Sequence, residues 1–424
     1  MMCNKGGWAN SGARLWRQSL IFCVGLSALL LLPPAAAASM ADHQHSHFSK
    51  VLQQQRRYQL SLPERYQSSD RRYAVLYLID ADFQFEHVAA TVRQLARAGR
   101  IAPLIVVGVA TNGTSDYQHK TSWLTADLPG SGGAAAMLQY LRTELLPVIN
   151  TQYRTSGKQA LLGYSLGGLL SLQALLQGEG SYSAFYALSP SVWLDNQSII
   201  SRFSRAALTT LPASRLFISL ANEAGMGVQE LRSQLQQQAP ATLQWQFAHF
   251  PAETHYSMAL PALTAALQWD FAGHFVDLAP LLKYPAYGDV LDYFAKRRAH
   301  WAGYQYDWLQ AYTIAKYLWI TNQWPQAEQI LQQTEQKLPG SSRELRVQLA
   351  KVLLKKQQAK LALQLLQQAP QPEYHDWHKQ MADAYAALQQ PALALQYQQQ
   401  AEALVIAQQL ETWEYQELEP GSYR

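Results

Sequence analysis

Cysteine is almost missing from this 424-residue chain: only Cys3 and Cys23 occur, both near the first residue. Charge is also scarce, with 15% charged residues and a net charge of +4. A nucleic-acid-binding protein is expected to have a strongly basic face, and this net charge is too small to indicate one. Glycine and proline, at 23 and 19 residues, are too few for a fibrous or low-complexity chain. The 48% of hydrophobic residues excludes an intrinsically disordered one, and the length suggests two or three domains.

The first 38 residues have the pattern of a secretory signal peptide. Three basic residues precede an apolar run over residues 20–32, and the small alanines 35–38 follow two prolines. The run is shorter than the roughly 20 residues of a membrane-spanning helix, although a retained anchor is the alternative. We predict cleavage after Ala38, with Ala41 as the second possibility, and export to the periplasm or the medium. The mature chain would then hold no cysteine, so it would have no disulfide, thiolate metal site or cysteine nucleophile.

Three histidines alternate just after the predicted cleavage site, at His43, His45 and His47. On a strand they would share one face and could bind a metal. Their place close to the new N-terminus instead favours a solvated tail.

Short apolar runs alternate with amphipathic helical stretches over residues 42–275. The runs predict strands at residues 73–79, 102–109, 159–163, 184–188, 215–220 and 243–250. Helices are expected at residues 86–98, 134–150 and 166–176. Strands that are apolar on both faces and alternate with helices are typical of a mostly parallel sheet covered by helices.

The pattern changes after residue 275. Residues 276–305, which contain Pro280 and Pro285, are predicted to be a connector, and residues 407–424 a C-terminal tail. Between them, residues 306–406 are helical in period, and small alanines recur at 327, 362 and 394. That spacing is near the 34-residue period of tetratricopeptide-type helix pairs, in which a small residue lets two helices approach. An ordinary helical bundle is the alternative. We expect removal of residues 306–424 to leave some activity on small esters and to change either the activity on large substrates or the stability.

The sharpest motif is Gly163-Tyr164-Ser165-Leu166-Gly167, a G-x-S-x-G sequence between a predicted strand and a predicted helix. A serine in such a tight turn projects from the sheet, and the flanking glycines avoid a steric clash. The backbone N–H of Leu166 is then free to stabilise an oxyanion. The motif predicts that Ser165 is a nucleophile.

A serine nucleophile needs a base, and in this type of fold the acid and then the histidine follow the serine along the chain. His255 lies in the loop after the last predicted strand and is the expected base, while His274 is expected to be structural. Glu223, after the preceding strand, is the best candidate for the acid that orients the imidazole. Asp195 is the second candidate, and Glu253 is not excluded although it is close to His255 in sequence.

A second oxyanion donor is expected in the turn after the strand at residues 73–79, from the backbone N–H of Asp82 or of Ala81. The side chains of Asp80 and Asp82 would suit a metal, but no histidine is near them, so we expect no metal site and no cofactor. Tyr164 and Trp193 are predicted to line an acyl or aromatic pocket, with a purely structural role as the alternative for Trp193.

Six segments, in order, resemble the esterase D-type branch of the α/β-hydrolases, and within it the siderophore-esterase-like group. They are VLYLIDADFQF, IVVGV, LLGYSLGGLLSLQALL, FYALSPSVWLD, LFISLANE and the HYSM loop. The resemblance covers residues 48–275 and implies an α/β-hydrolase fold followed by an all-α, tetratricopeptide-like domain. It implies the nucleophile Ser165, the base His255, the acid Glu223, and an oxyanion hole formed by Leu166 and Asp82.

This sequence departs from that family at three positions. Tyr164 replaces the usual histidine before the serine, and Ala81 replaces a glycine. The segment 112–117 lacks the arginine that the family often uses near polar or anionic substrates, which weakens the case for a ferric siderophore.

We therefore predict an exported serine hydrolase that cleaves carboxylic esters, siderophore esters or other large esters among them. An acyltransferase with the same triad is one alternative. Another is an interaction protein whose helical repeats bind a protein partner while the hydrolase domain serves as a scaffold. Nucleic acid and a stable membrane span are not expected.

Overall fold

The computed structural model describes residues 43–67, 69–298 and 304–416; the predicted signal peptide lies outside them. One eight-stranded sheet dominates the first part of the chain. Its strands are β1 His43–Ser49, β2 Gln54–Ser61, β3 Tyr73–Ile79, β4 Leu104–Val109, β5 Thr155–Tyr164, β6 Ala184–Leu188, β7 Ser214–Ala221 and β8 Leu243–Phe250.

The strand order is β1-β2-β4-β3-β5-β6-β7-β8. Strands β1 and β2 pair antiparallel at one edge, β2 is antiparallel to β4, and all remaining pairs are parallel. The predicted mostly parallel sheet is thus confirmed. Because the parallel strands share one direction, the loops after β3 to β8 meet at a single edge of the sheet, here called the carboxyl edge.

Helices connect the strands and continue to the end of the described chain. They are α1 Ala81–Arg97, α2 Thr114–Thr121, α3 Ala134–Tyr140, α4 Leu146–Gln152, α5 Leu166–Gln177, α6 Leu194–Gln197, α7 Ile199–Arg202, α8 Arg205–Thr209, α9 Val228–Gln238, α10 Ala259–Asp270, α11 Leu278–Leu281, α12 Tyr287–Arg298, α13 Trp308–Ile320, α14 Ala327–Lys337, α15 Ser341–Lys355, α16 Ala359–Gln367, α17 His375–Ala387, α18 Pro391–Ala407 and α19 Thr412–Gln416. A π-helical turn, Leu141–Leu145, joins α3 to α4, and a short 3-10 turn, Trp324–Gln326, precedes α14.

The histidines near the N-terminus do not form a solvated tail. They belong to β1, where His45 is opposite Tyr58 and stacks on its ring with centroids 5.0 Å apart. His47 stacks on Tyr140 at 5.6 Å, and burial lowers its pKa, with Glu144 acting in the opposite direction. The alternation of the three histidines is typical of a strand. Position near the N-terminus favoured a solvated tail, but pairing with β2 holds these residues in the sheet.

The sheet separates two hydrophobic clusters because consecutive side chains of a strand point to opposite faces. Along β3, Leu76 and Leu78 pack on one face, while Tyr77 and Ile79 pack on the other. The second face is covered by helices α3, α4, α5 and α9. The first face is covered by α1 and α10, and its cluster continues without a break into α12 through α17.

The helical region therefore shares a core with the sheet, and the chain from residue 42 onward forms one compact unit. The predicted connector holds α11 and α12, whose Leu281, Val290 and Phe294 are fully buried. Residues of the predicted tail reach back to the sheet region, where the Arg97 guanidinium lies 4.1 Å from the Trp413 ring centroid. This arrangement changes our expectation for truncation, since removing residues 306–424 would expose the shared core.

The last part of the chain is helical, as predicted. Helices α13 to α18 follow one another in three pairs that begin at residues 308, 341 and 375. Ala362 is fully buried in α16, while Ala327 and Ala394 are partly buried. The tetratricopeptide character of these pairs stays a prediction.

Candidate active site

Ser165 stands in the sharp turn between β5 and α5, with φ 56° and ψ −119°. These angles are unfavourable for a non-glycine residue, and the close packing of the turn maintains them. A Cβ on Gly163 would lie 1.9 Å from the Gly167 carbonyl oxygen, and one on Gly168 would lie 3.1 Å from Pro190 Cα. Glycine is therefore required at Gly163 so that strand and helix can approach, and Ser165 is presented at the carboxyl edge.

Three side chains from separate loops converge there. The Ser165 Oγ lies 3.1 Å from His255 Nε2, and His255 Nδ1 is hydrogen-bonded to Glu223 Oε1. A carboxylate only accepts, so in the neutral imidazole Nδ1 carries the proton and Nε2 offers its lone pair to the serine hydroxyl. The structure thus brings together the three residues that the sequence analysis selected as nucleophile, base and acid.

Ser189 and Ser191, which the sequence analysis did not select, complete this chain of contacts. The Ser189 hydroxyl donates to Glu223 Oε2, which also accepts from the Ala221 N–H at 3.2 Å. The Ser191 Oγ is 3.1 Å from the Ser165 Oγ. Both serines are buried in the loop after β6, and a polar Ser-Pro-Ser segment at a strand end was the available signal.

The other two candidates for the acid lie elsewhere in the loops. The Asp195 carboxylate accepts from Trp123 Nε1 at 3.2 Å and from Ser198 Oγ at 2.7 Å. The Glu253 carboxylate accepts from Ser257 Oγ at 2.5 Å. Neither is hydrogen-bonded to His255 within the part of the chain that the structure describes.

Both predicted oxyanion donors lie in the first turn of a helix. Leu166 is the first residue of α5, and Asp82 is the second residue of α1. N–H groups in a first helical turn have no acceptor inside the helix, and the helix dipole favours negative charge there. The Asp82 carboxylate itself accepts from the Thr111 N–H at 2.6 Å, which fixes the loop after β3 against the loop after β4.

Asp80 precedes α1 in a left-handed conformation, with φ 68°. Burial raises the pKa of its carboxyl group to about 6, and the charge of Asp82 adds to the effect. A group that changes charge near pH 6 therefore lies beside the start of α1.

Tyr164 lies beneath the histidine loop. It is buried, its ring centroid is 4.9 Å from that of His255, and its hydroxyl donates to the His255 carbonyl oxygen. Tyr117 supports the serine turn: its hydroxyl accepts from the Gly167 N–H and donates to the Tyr164 carbonyl oxygen, both at 2.9 Å. Trp193 is 38% exposed. The predicted contacts of Tyr164 and Trp193 with the substrate stay predictions.

The described ranges, 43–67, 69–298 and 304–416, contain no cluster of three or more histidine, cysteine or acidic side chains suited to a metal ion. No helix within them combines the length and apolar character needed to cross a bilayer.

The fold and the serine-centred site define an α/β ester hydrolase. The family model described as "Putative esterase" matches residues 49–261, half of the chain, and the protein belongs to this family. It is accordingly a carboxylic ester hydrolase, which confirms the predicted enzyme class.

The ferri-bacillibactin esterase BesA of Bacillus subtilis is 24% identical over 222 residues, which are 46% of this chain and 76% of that protein. The siderophore triacetylfusarinine C esterase of Aspergillus fumigatus is 26% identical over 136 residues, which are 30% of this chain and 47% of that one.

Solved structures show the same fold. An IroE-like serine hydrolase from Shewanella oneidensis superposes with a TM-score of 0.58 at 24% identity, covering 72% of this chain and 98% of that one. An uncharacterised protein from Capnocytophaga ochracea superposes with a TM-score of 0.56 at 15% identity. It covers 86% of this chain and 100% of that one, so the likeness includes part of the helical region.

Proposed function

We propose that this esterase uses Ser165, His255 and Glu223 as a catalytic triad that hydrolyses large carboxylic esters through an acyl-enzyme. The supporting observation is the unbroken chain of contacts from the Ser165 Oγ through both imidazole nitrogens to the Glu223 carboxylate. Each of the three comes from a different loop, so only the folded carboxyl edge assembles them.

In the first half of the reaction, the Ser165 Oγ attacks the ester carbonyl carbon while His255 Nε2 takes the hydroxyl proton. The oxygen of the tetrahedral intermediate is stabilised by the N–H groups of Leu166 and Asp82. As the intermediate collapses, the carbon–oxygen bond to the alcohol breaks, and the imidazolium returns its proton to the departing alkoxide.

In the second half, His255 takes a proton from a water molecule, whose oxygen attacks the acyl-enzyme carbonyl carbon. The bond to Ser165 Oγ then breaks, the serine regains a proton from His255, and the carboxylic acid leaves. Glu223 accepts the Nδ1–H throughout, so it orients the imidazole and stabilises its charged form.

The test is hydrolysis of p-nitrophenyl acetate, together with labelling by a fluorophosphonate. The wild type should cleave the ester and label on Ser165, and Ser165→Ala should do neither. Activity of Ser165→Ala close to that of the wild type would refute the proposal. Product analysis with an added acceptor alcohol would identify an acyltransferase, because a new ester would form in place of the free acid.

For the substrate, we propose large esters such as those of siderophores, since the relatives at 24% and 26% identity are named as siderophore esterases. A panel of siderophore, feruloylated and acetylated esters, assayed on the wild type and on Ser165→Ala, would rank these classes. Equal rates on all of them, no higher than on p-nitrophenyl acetate, would refute a large cognate ester.

We also propose export with removal of residues 1–38, from the signal pattern in the sequence. Cell fractionation and N-terminal sequencing of the natural protein would test it, and recovery of the uncleaved chain in the cytoplasm would contradict it.

For the helical region, we propose tetratricopeptide-type pairing, supported by the succession of helices α13 to α18. We also propose a protein-binding role, supported by leucines exposed on its last long helix, Leu393 and Leu395. Crosslinking in cells with wild type and Leu395→Lys would test the binding role. A partner that is captured equally by both proteins would count against this surface.

A further inference from the structure

Large apolar side chains are exposed where the loops meet at the carboxyl edge. Phe83 is 67% exposed, Leu124 is 82% exposed and Tyr256 is 80% exposed, while Trp193 is 38% exposed. Such side chains close together on a surface are characteristic of a binding site, because a scattered exposed leucine needs no explanation but an apolar patch does. These four are here called the apolar rim.

Three members of the apolar rim lie close in sequence to residues of the proposed site. Tyr256 follows His255, and their rings meet edge to face with centroids 5.8 Å apart. Phe83 follows Asp82, in the first turn of α1. Trp193 is two positions after Ser191, whose hydroxyl touches Ser165.

Leu124 is brought to the same place by its neighbours. Trp123 and Thr125 both donate to the Asp195 carboxylate, at 3.2 Å and 3.4 Å, and Asp195 is two positions after Trp193. Leu124 and Trp193 therefore belong to loops that are hydrogen-bonded to each other.

The charge of these loops has one sign. Six segments at the carboxyl edge, residues 80–85, 111–118, 122–133, 189–197, 221–227 and 251–258, contain no lysine or arginine. The buried Lys120 lies between two of these segments, and its charge acts on Asp116. They contain seven carboxylates: Asp80, Asp82, Asp116, Asp127, Asp195, Glu223 and Glu253. The whole chain has 34 basic and 30 acidic residues, so this edge departs strongly from the average.

Arginines of β2 neutralise two of the seven. Arg56 pairs with Asp116 at 2.8 Å, and Arg57 pairs with Asp82 at 3.3 Å. For Asp80, Asp127, Asp195 and Glu253, the described residues provide no ion pair with lysine or arginine. An incoming anion would meet several carboxylates there, and like charges brought together at a binding surface select against a partner.

We propose that the apolar rim and the carboxylates around it select uncharged esters that carry a bulky apolar or aromatic group, and that they reject esters with added negative charge. This inference rests on the proposed function, since it concerns what reaches Ser165. Siderophore esters without net negative charge stay within it, and anionic ones do not.

The test compares two esters that differ only in the para substituent of the acyl ring, a methyl group in p-nitrophenyl 4-methylbenzoate and a carboxylate in the p-nitrophenyl monoester of terephthalic acid. We expect kcat/KM at pH 8 and low salt to favour the neutral ester by about 10-fold, with the gap narrowing towards 3-fold in 0.5 M salt as charges are screened. Glu253→Gln and Asp127→Asn should narrow the gap at low salt, whereas Glu230→Gln on α9 should not.

The apolar part is tested with Trp193→Ala and Tyr256→Ala. Each should lower kcat/KM for the methylbenzoate by about 5- to 20-fold, mostly through KM, and should lower it less for p-nitrophenyl acetate. Ile320→Ala, at the end of α13, removes a side chain whose 55% exposure lies between those of Trp193 and Tyr256, and it should change neither value.

Equal or better use of the anionic ester by the wild type would overturn the inference, as would rim variants that affect acetate and methylbenzoate equally. Failure of the proposed function has a different signature, because hydrolysis of p-nitrophenyl acetate would then not depend on Ser165.

Discussion

The Ser189 hydroxyl donates a hydrogen bond to the Glu223 carboxylate, on the oxygen that His255 does not use. Ser189 is fully buried, with φ 40°, and its N–H donates to the Ser219 carbonyl oxygen at 3.1 Å. Its backbone is held in place by this burial and by this hydrogen bond. We therefore expect Ser189 to act as a positioning residue, which holds the carboxylate that orients the imidazole.

Ser189→Ala should lower kcat for p-nitrophenyl acetate by about 10- to 150-fold, the rate equivalent of losing one hydrogen bond to a charged group. KM should change little, because Ser189 does not face the substrate. The decisive measurement is a double-mutant cycle with Glu223→Gln. If Ser189 acts through Glu223, its replacement should cost much less in the Glu223→Gln background; additive losses would contradict this role.

Tyr164→Phe removes only the hydroxyl that donates to the His255 carbonyl and keeps the ring beneath the imidazole. We expect a loss in kcat/KM of about 2- to 10-fold, because the loop that carries the base loses one buried hydrogen bond. The midpoint of thermal unfolding should fall only slightly. A drop in activity matched by a large drop in that midpoint would indicate a general packing role instead.

The turn itself is tested by Gly163→Ala. Its methyl group would overlap the Gly167 carbonyl, so strand β5 and helix α5 would have to separate, and we expect loss of fluorophosphonate labelling with a large loss of stability. Gly288→Ala is the matched control, since a Cβ there meets nothing within 4 Å and Gly288 lies in helix α12. Stable, active Gly163→Ala protein would show that the turn is not closely packed.

Stability should depend on pH through Asp80. Its pKa in the folded protein is raised from 3.8 to about 6, mainly by burial. The folded state therefore binds a proton more tightly than the unfolded state, and the stability that this proton contributes is present at low pH and is lost as the pH rises through about 6. Asp80→Asn should raise the midpoint of thermal unfolding at pH 8 and change it little near pH 4, and asparagine also suits the left-handed backbone. A destabilised variant at pH 8 would contradict this account.

Arg65 connects the sheet region to the helical region. It pairs with Asp376 at 2.9 Å and with Glu414 at 3.5 Å. Burial lowers the pKa of the Arg65 guanidinium, but the surrounding acidic groups, Asp376 foremost, hold that pKa above its ordinary value. Arg65→Met would leave these carboxylates without their cation, and we expect a loss of about 2 to 4 kcal/mol in the free energy of unfolding. Arg142→Met breaks a surface pair with Glu179 and should cost less than about 1 kcal/mol. Equal effects in urea unfolding would show that the Arg65 network adds nothing.

The effect of truncating the chain at residue 306 can be predicted from the core that the sheet and the helical region share. The cluster that covers one face of the sheet continues through α12 to α17, so the shortened chain would expose apolar surface and should aggregate or unfold. A soluble truncated protein with wild-type activity on p-nitrophenyl acetate would show that the sheet region folds independently.

Sequence by itself determined the features that depend on neighbouring residues. The apolar runs of β3 to β8 and the G-x-S-x-G turn are local signals, since strand burial and a close glycine contact each involve a few consecutive positions. They were sufficient for the mostly parallel sheet, for the place of Ser165 and for the loop of His255.

Only the tertiary structure decided which distant groups meet. Glu223 and Asp195 are both acidic residues at strand ends, and the fold directs Glu223 to His255 while Asp195 bonds to Trp123. Local patterns likewise did not predict the contact of Ser189 with Glu223, the formation of β1 as a paired strand, or the core that the sheet shares with the helices. Each depends on the packing of segments far apart in the chain, where the hydrogen bonds and the buried apolar surface are formed.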